Sequence, residues 1–213
     1  MPFARLKFTD LATAEKALDK IKQSASNNVV AAQIEVADLR LAVIDPLTGL
    51  HNRRYGLAQL QAIAESARAN GAMFAVLVAD IDRFKSVNDH FGHAAGDAVL
   101  VEVAQRLRQN LRAGDLVARI GGEEFLIALP NIALPEARLI AERLCTVMAE
   151  HPFHLNATQD LPVTLSIGLA ISEAGELPAH VETVTDIFDR ADRALLRAKT
   201  AGRNQVTISR AAA

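Results

Sequence analysis

The chain has 213 residues, half of them hydrophobic, with 23 basic and 25 acidic side chains and a net charge of -2. That suffices for one well-packed core plus an appendage, and the near balance of charge excludes bulk attraction to DNA, RNA or anionic lipid. The lone cysteine, Cys145, excludes a disulfide framework, and the absence of a bilayer-length apolar run or a secretory leader pattern sets the expectation of a cytoplasmic protein.

Residues 1–45 carry two narrow apolar stripes at helical spacing. Leu11, Ala14, Leu18, Ile21 and Ala25 form the first, and Val29, Ala32, Val36, Leu39 and Val43 the second. "SASNN" interrupts them. Two readings stand: short helices on a domain surface, or a helical stalk that pairs with a second copy as a coiled coil.

From Asp45 onward helices and strands alternate. "YGLAQLQAIAESARAN" predicts a helix ended by Gly71, and "MFAVLVADI" a buried strand. "GDAVLVEVAQRLRQNLRAG" predicts a helix opened by the Gly96–Asp97 pair and stopped at Gly114. "LVARI" and "FLIALP" read as strands joined by a tight "GGEE" hairpin. "LPEARLIAERLCTVMAE" is helical and places Cys145 as a buried, inert thiol. "LPVTLSIGLAI" reads as a strand, "TVTDIFDRADRALLRAKTAG" as a helix and "NQVTIS" as a last strand. The expected fold is α/β (α+β), a central mixed sheet flanked by helices on both faces, preceded by the helical stalk.

The hairpin poses the chemical question, because Glu123 and Glu124 repel each other at its tip. Asp80 ends an apolar strand and Asp82 follows two residues on, which alternation would put on one side. Asp82 reads as a turn or cap carboxylate and Asp80 as a ligand. Were Asp80 and the hairpin on neighbouring strands, three carboxylates would converge, and a hard divalent cation such as magnesium would offset the repulsion. The other reading is a solvated acidic turn. Gly121 and Gly122 would let a phosphate approach the backbone. Lys85 follows Asp80 closely, and Lys199 and Arg203, four apart on the last predicted helix, would share a face suited to a triphosphate or simply end a solvated helix. Asn88 and Asp97 suit a purine edge, although Asp97 reads equally well as a helix cap.

"DPLTGLHNRR", "DIDRFKSVNDHFGHAAGD", "RIGGEEF" and "AKTAGRN" together resemble, in order and spacing, the GGDEF diguanylate cyclases over about Asp45 to Ser209. The glutamate form of the hairpin resembles a family variant. The resemblance implies a catalytic domain over 46–213 with a stalk or linker over 1–45. It implies condensation of two GTP into cyclic di-GMP with release of two pyrophosphates, using magnesium, with manganese as a substitute. It makes Asp80 and Glu123 metal ligands, with Glu124 close by and the Ile81 carbonyl assisting. Phe84 and Lys85 would lie by the phosphates, Lys85 with a catalytic role, Asn88 and Asp97 would read guanine, and Lys199 and Arg203 would hold the β- and γ-phosphates. One domain holds one GTP, so the resemblance also implies a homodimer.

"RAGD" by itself is a helix end and a turn. In the family, Arg112 and Asp115 with Arg143 resemble an inhibitory site for the cyclic di-GMP product, completed by an arginine from a neighbouring domain, for which Arg68 is one candidate. Leu196 stands where the family often has tyrosine, a departure expected to bear on packing. Response-regulator relatives carry receiver domains upstream, so a sensory or receiver domain ahead of residue 1 is an expectation too. Two other functions compete: a catalytically weak or inactive module that senses cyclic di-GMP, and a cyclase that closes one purine nucleotide on itself. The retained hairpin and Asp80 weigh against the first, and the Arg-x-x-Asp pattern against the second.

Overall fold

The computed structural model describes residues 42–156, 159–172 and 182–209. The stalk and both of its readings therefore lie almost wholly outside the described residues.

Within them the order is α1 (Arg53–Asn70), β1 (Phe74–Ile81), α2 (Phe84–Phe91), α3 (His93–Gln109), β2 (Leu116–Arg119), β3 (Glu124–Pro130), α4 (Leu134–Glu150), β4 (Phe153–Asn156), β5 (Gln159–Leu161), β6 (Leu165–Ile171), α5 (Val184–Thr200) and β7 (Val206–Ile208). Five strands form one sheet in the order β2-β3-β1-β6-β7, and β4 pairs with β5 in a separate hairpin. Only β6 and β7 run parallel, so the large sheet is mixed, as expected.

Alternation along β1 divides the core. Ala75, Leu77, Ala79 and Ile81 face a cluster built with α2, α3 and α4, while Phe74, Val76 and Val78 face α1 and α5. Every residue of β1 is buried, because neighbours flank it on both edges and helices cover both faces. Asp80 shares the parity of Phe74, Val76 and Val78, hence the side of α5. The approach of α5 to β6 is close enough that a Cβ on Gly168 would stand 2.0 Å from the Ala191 carbonyl and 2.1 Å from the Leu195 nitrogen. Thr183 and Asp186 form a reciprocal cap that starts α5 where the sequence suggested.

Several boundaries differ from expectation. α3 starts at His93, not at the Gly96–Asp97 pair. Gly92, at φ 81°, ends α2 and opens α3 at one corner, so Asp97 lies inside the helix and does not cap it. α3 ends at Gln109 with Asn110 as its C-cap, short of Gly114. The segment "LPVTLSIGLAI" divides into the end of β5 and the separate β6, with Pro162 between them. α2 and the β4–β5 hairpin had no counterpart in the sequence reading.

Candidate active site

The site gathers where β1 and β3 end together. These strands are antiparallel, with Asp80 opposite Glu124. Beyond that pair the Ile81 amide donates to the Glu123 carbonyl at 3.2 Å, which fastens the hairpin tip to the end of β1. The turn closes through Ile120 N–H to the Glu124 carbonyl at 2.9 Å. Gly121 leaves room for the Glu124 carboxylate, since a Cβ there would stand 2.3 Å from its Oε2, and Gly122 faces open space. The expected adjacency of Asp80 and the hairpin is thus present.

Electrostatics at this corner are unfavourable to negative charge. Burial raises the Asp80 carboxyl above its ordinary range; the Lys199 ammonium opposes this, while Glu124 and Asp82 add to it. Burial, and then the Asp80 charge, raises Glu123 as well. Lys199 Nζ lies 2.7 Å from Asp80 Oδ2, the carboxylate being nearly buried and the lysine half-exposed. Among the described residues no three Asp, Glu, His or Cys side chains are drawn close enough together to form a ready metal cluster. The donor set nonetheless fits a hard cation: oxygen ligands only, on fixed backbone, with one lysine charge already set against them.

The phosphate-side candidates are arranged differently from expectation. Arg203 does not share a helical face with Lys199. α5 ends at Thr200, and Arg203 sits in the following turn in the left-handed region, φ 67°, with its N–H on the Ala198 carbonyl at 3.0 Å. Phe84 is a core side chain, so only its backbone is available to a ligand. Lys85 is exposed in the first turn of α2. Asn88 lies against Gly96 across the α2–α3 corner, one residue before the exposed Asp97. Asn88 Oδ1 lies so near Gly96 that a Cβ there would stand 2.0 Å away, and Asp97 is the next residue. Asp82 caps no helix: its oxygens accept from Ser166, Thr164 and the Asn204 amide.

Arg112 and Asp115 form a built pair away from the hairpin. Arg112 Nε lies 2.8 Å from Asp115 Oδ1, its backbone N–H bonds Oδ2 at 3.0 Å, and its guanidinium also reaches the Pro130 carbonyl. Arg143 donates to the Asn110 carbonyl at 2.7 Å, which sets it beside the same turn. Arg68 is exposed in the last turn of α1. Leu196 is 62% exposed, which overturns the expectation that its departure from tyrosine bears on packing. Cys145 is buried as expected, with its thiol pushed up to about 12 by burial.

Sequence reasoning gave no role to Arg119, Arg53, Arg54 or Asp45. Arg119 donates to the Gly122 carbonyl at 2.8 Å and to Asp45 at 3.2 Å, while Arg53 donates to the Ile120 carbonyl at 2.8 Å. Asn52 and Arg54 hold the Ala42 carbonyl at 3.0 and 2.8 Å. The signal was the density of arginine around those segments; apart from Asp45 their partners are carbonyls, which leave no mark in sequence.

The domain is thus of the α/β class, a mixed sheet that presents paired acidic residues and a lysine at one strand end. The profile described as "Diguanylate cyclase, GGDEF domain" matches residues 42–205, and the chain belongs to that family. Response regulator PleD of Caulobacter vibrioides is 46% identical over 169 residues, 79% of this chain and 36% of that protein. Diguanylate cyclase DgcP of Pseudomonas aeruginosa is 42% identical over 168 residues, 79% of this chain and 24% of that protein. The chain thus spans about a quarter to a third of the length of these relatives. Among solved structures, the coiled coil and GGDEF domain of DgcB from Caulobacter crescentus in complex with c-di-GMP matches with TM-score 0.76 and 28% identity, over 93% of this chain and 96% of that one. The active GGEEF domain of a diguanylate cyclase from Vibrio cholerae matches with TM-score 0.68 and 34% identity, over 76% and 98%. Among the described residues no helix is long and apolar enough to cross a membrane.

Proposed function

We propose that the chain is a diguanylate cyclase, joining two GTP molecules into cyclic di-GMP with release of two pyrophosphates. The observation that carries this reading is the cross-strand pairing of Asp80 with Glu124, with Glu123 fastened to Ile81 and Lys199 on Asp80. The activity of a GGEEF-type domain from Vibrio cholerae supports the glutamate form of the hairpin.

In this reading Asp80, Glu123, Glu124 and the Ile81 carbonyl would hold magnesium, or manganese in its place, and the bound ion would supply polarisation of the α-phosphoryl group and a lowered pKa for the attacking 3′-hydroxyl. Lys199 leaves Asp80 for the outer phosphates, which Arg203 holds from its turn and Lys85 from α2. Asn88 and Asp97 bond the guanine edge and set the base relative to the hairpin. Orientation supplies much of the rate, because attack joins two separately bound nucleotides. The second nucleotide comes from a second copy of the domain, and the helical stripes of residues 1–45 serve as the pairing device. The coiled coil in the DgcB structure supports that assignment. Arg112, Asp115 and Arg143 form the site at which product slows the enzyme, in keeping with the c-di-GMP bound in that same relative.

The test is incubation of purified protein with GTP and magnesium, followed by separation of the nucleotides. Cyclic di-GMP is expected from the wild type and none from folded Glu123→Gln, since loss of a metal ligand removes several kcal/mol of transition-state stabilisation, roughly two to three decades or more in rate. Wild-type yield from that variant overturns the assignment. Binding of cyclic di-GMP without synthesis by the wild type marks a sensor.

A further inference from the structure

Asp82 is nearly buried, and every partner it has lies on a different segment from its own. Its Oδ1 accepts from the Ser166 hydroxyl at 2.6 Å. Its Oδ2 accepts from the Thr164 hydroxyl at 2.7 Å and from the Asn204 backbone N–H at 3.0 Å. Its own N–H donates to the Thr164 carbonyl at 3.0 Å. With both oxygens engaged, Asp82 is taken up as an acceptor while Asp80, two residues earlier, faces the hairpin.

The turn that Asp82 grips is unusual. Arg203 and Asn204, at φ 67° and 45°, are consecutive non-glycine residues in the left-handed region, and Arg83, at φ 57°, is a third on the other side of Asp82. Such conformations carry a cost that surrounding contacts must offset. A buried carboxylate accepting the Asn204 amide is a strong contact of that kind, because charge-assisted bonds in a dry site exceed neutral ones. Arg83, Arg203, Asn204, Ser86 and Thr164 line a cleft of about 310 Å³ with Asp82 at its wall.

We propose that Asp82 is a positioning residue for Arg203. Through Asn204 it fixes the left-handed turn that presents the Arg203 guanidinium to the outer phosphates of GTP, and Thr164 and Ser166 fix Asp82 in turn. The inference rests on the reading of the chain as a GTP-binding cyclase and adds a residue that touches no substrate to its phosphate-binding half. It separates two carboxylates of one motif: Asp80 serves the reacting end and Asp82 the far end of the triphosphate.

The test is a double-mutant cycle on the full chain. Binding is measured by calorimetry with magnesium and a GTP analogue carrying a methylene between its α- and β-phosphorus atoms. Loss of one charge-assisted bond predicts an affinity about tenfold weaker for Asp82→Asn, and about the same for Arg203→Ala. The double variant is expected to be no weaker than the poorer single one, because both changes remove the same contact. GMP, which lacks the outer phosphates, is expected to bind Asp82→Asn as it binds the wild type. Hydrogen exchange at the Asn204 amide is expected to quicken in Asp82→Asn. Additive losses in the cycle, an unchanged analogue affinity in Asp82→Asn, or an equal loss for GMP would each overturn the inference while leaving GTP binding by the wild type intact. A wild type that binds no analogue removes the cyclase reading itself, and this inference with it. Should Asp82→Asn fail to fold, Thr164→Val, which deletes one hydroxyl donor and keeps the carboxylate, carries the same expectations in a milder form.

Discussion

Glu123 and Asp80 both titrate above their ordinary range, with burial the largest cause in each. A carboxyl whose pKa is raised on folding binds its proton more tightly in the folded chain. Its stabilising contribution is then complete below the unfolded pKa and is lost as pH rises through the folded one. In the metal-free protein, Glu123→Gln mimics the protonated form. It should therefore be more stable than wild type at about pH 7, with the difference closing near pH 4, around the ordinary carboxylate range. Urea midpoints of both proteins in EDTA at the two pH values check this. Added magnesium should raise the wild-type midpoint at neutral pH and leave that of the variant unmoved. Arg112 makes a different kind of prediction. Arg112→Ala should keep the initial rate of synthesis yet slow less as product builds up, with product affinity weaker by about one to two decades. Progress curves with and without added cyclic di-GMP decide it, and equal slowing leaves Arg112 only its structural ties to Asp115 and the Pro130 carbonyl.

Elements were legible where a residue pattern alone determines them. α1 and β1 follow from an apolar pattern and a glycine stop, and α5 from the helical segment read from Thr183 onward. α2 was not legible, because eight residues with Phe84 and Val87 as their only buried side chains give too short a period to detect. The position of Arg203 escaped for another reason. A turn held by a carboxylate 122 positions distant is decided by tertiary contact, and a four-residue spacing then mimics a helical face. Of the candidate site, the adjacency of Asp80 and the hairpin could be inferred, whereas the arginines that bind carbonyls could not. Two glycines test how the elements seat the site. Gly168→Ala would drive a methyl into the backbone of α5, which carries Lys199. It should cost at least about 1–3 kcal/mol in unfolding free energy and lower activity as well. Gly96→Ala should displace the Asn88 amide and raise the KM for GTP more than it lowers kcat, since in the proposed reading Asn88 bonds the base and not the reacting atoms. Steady-state kinetics on the folded variants read both.

A single domain of this fold offers one hairpin, so the proposed reaction needs two molecules face to face. A chain beginning at Ala42 keeps the carbonyl that Asn52 and Arg54 hold but lacks the stripes apart from Val43. Its activity per molecule should fall steeply on dilution while that of the full chain stays level, because a tether replaces a bimolecular encounter with a high local concentration. Dilution series of the two proteins separate these outcomes, and a level response from the shortened chain shows the stripes are dispensable. The burial of β1 along its whole length bears on the same question from the opposite side. A strand locked between two neighbours and two helical layers opens only when the entire domain opens, so its amides should be among the slowest to exchange with deuterium. Asp80 rides on that strand and Glu124 is paired across from it. In the proposed reaction the paired Asp80 and Glu124 would therefore stay side by side through local fluctuations, and the rate would be set by how often two such halves meet, not by how often either half makes itself ready.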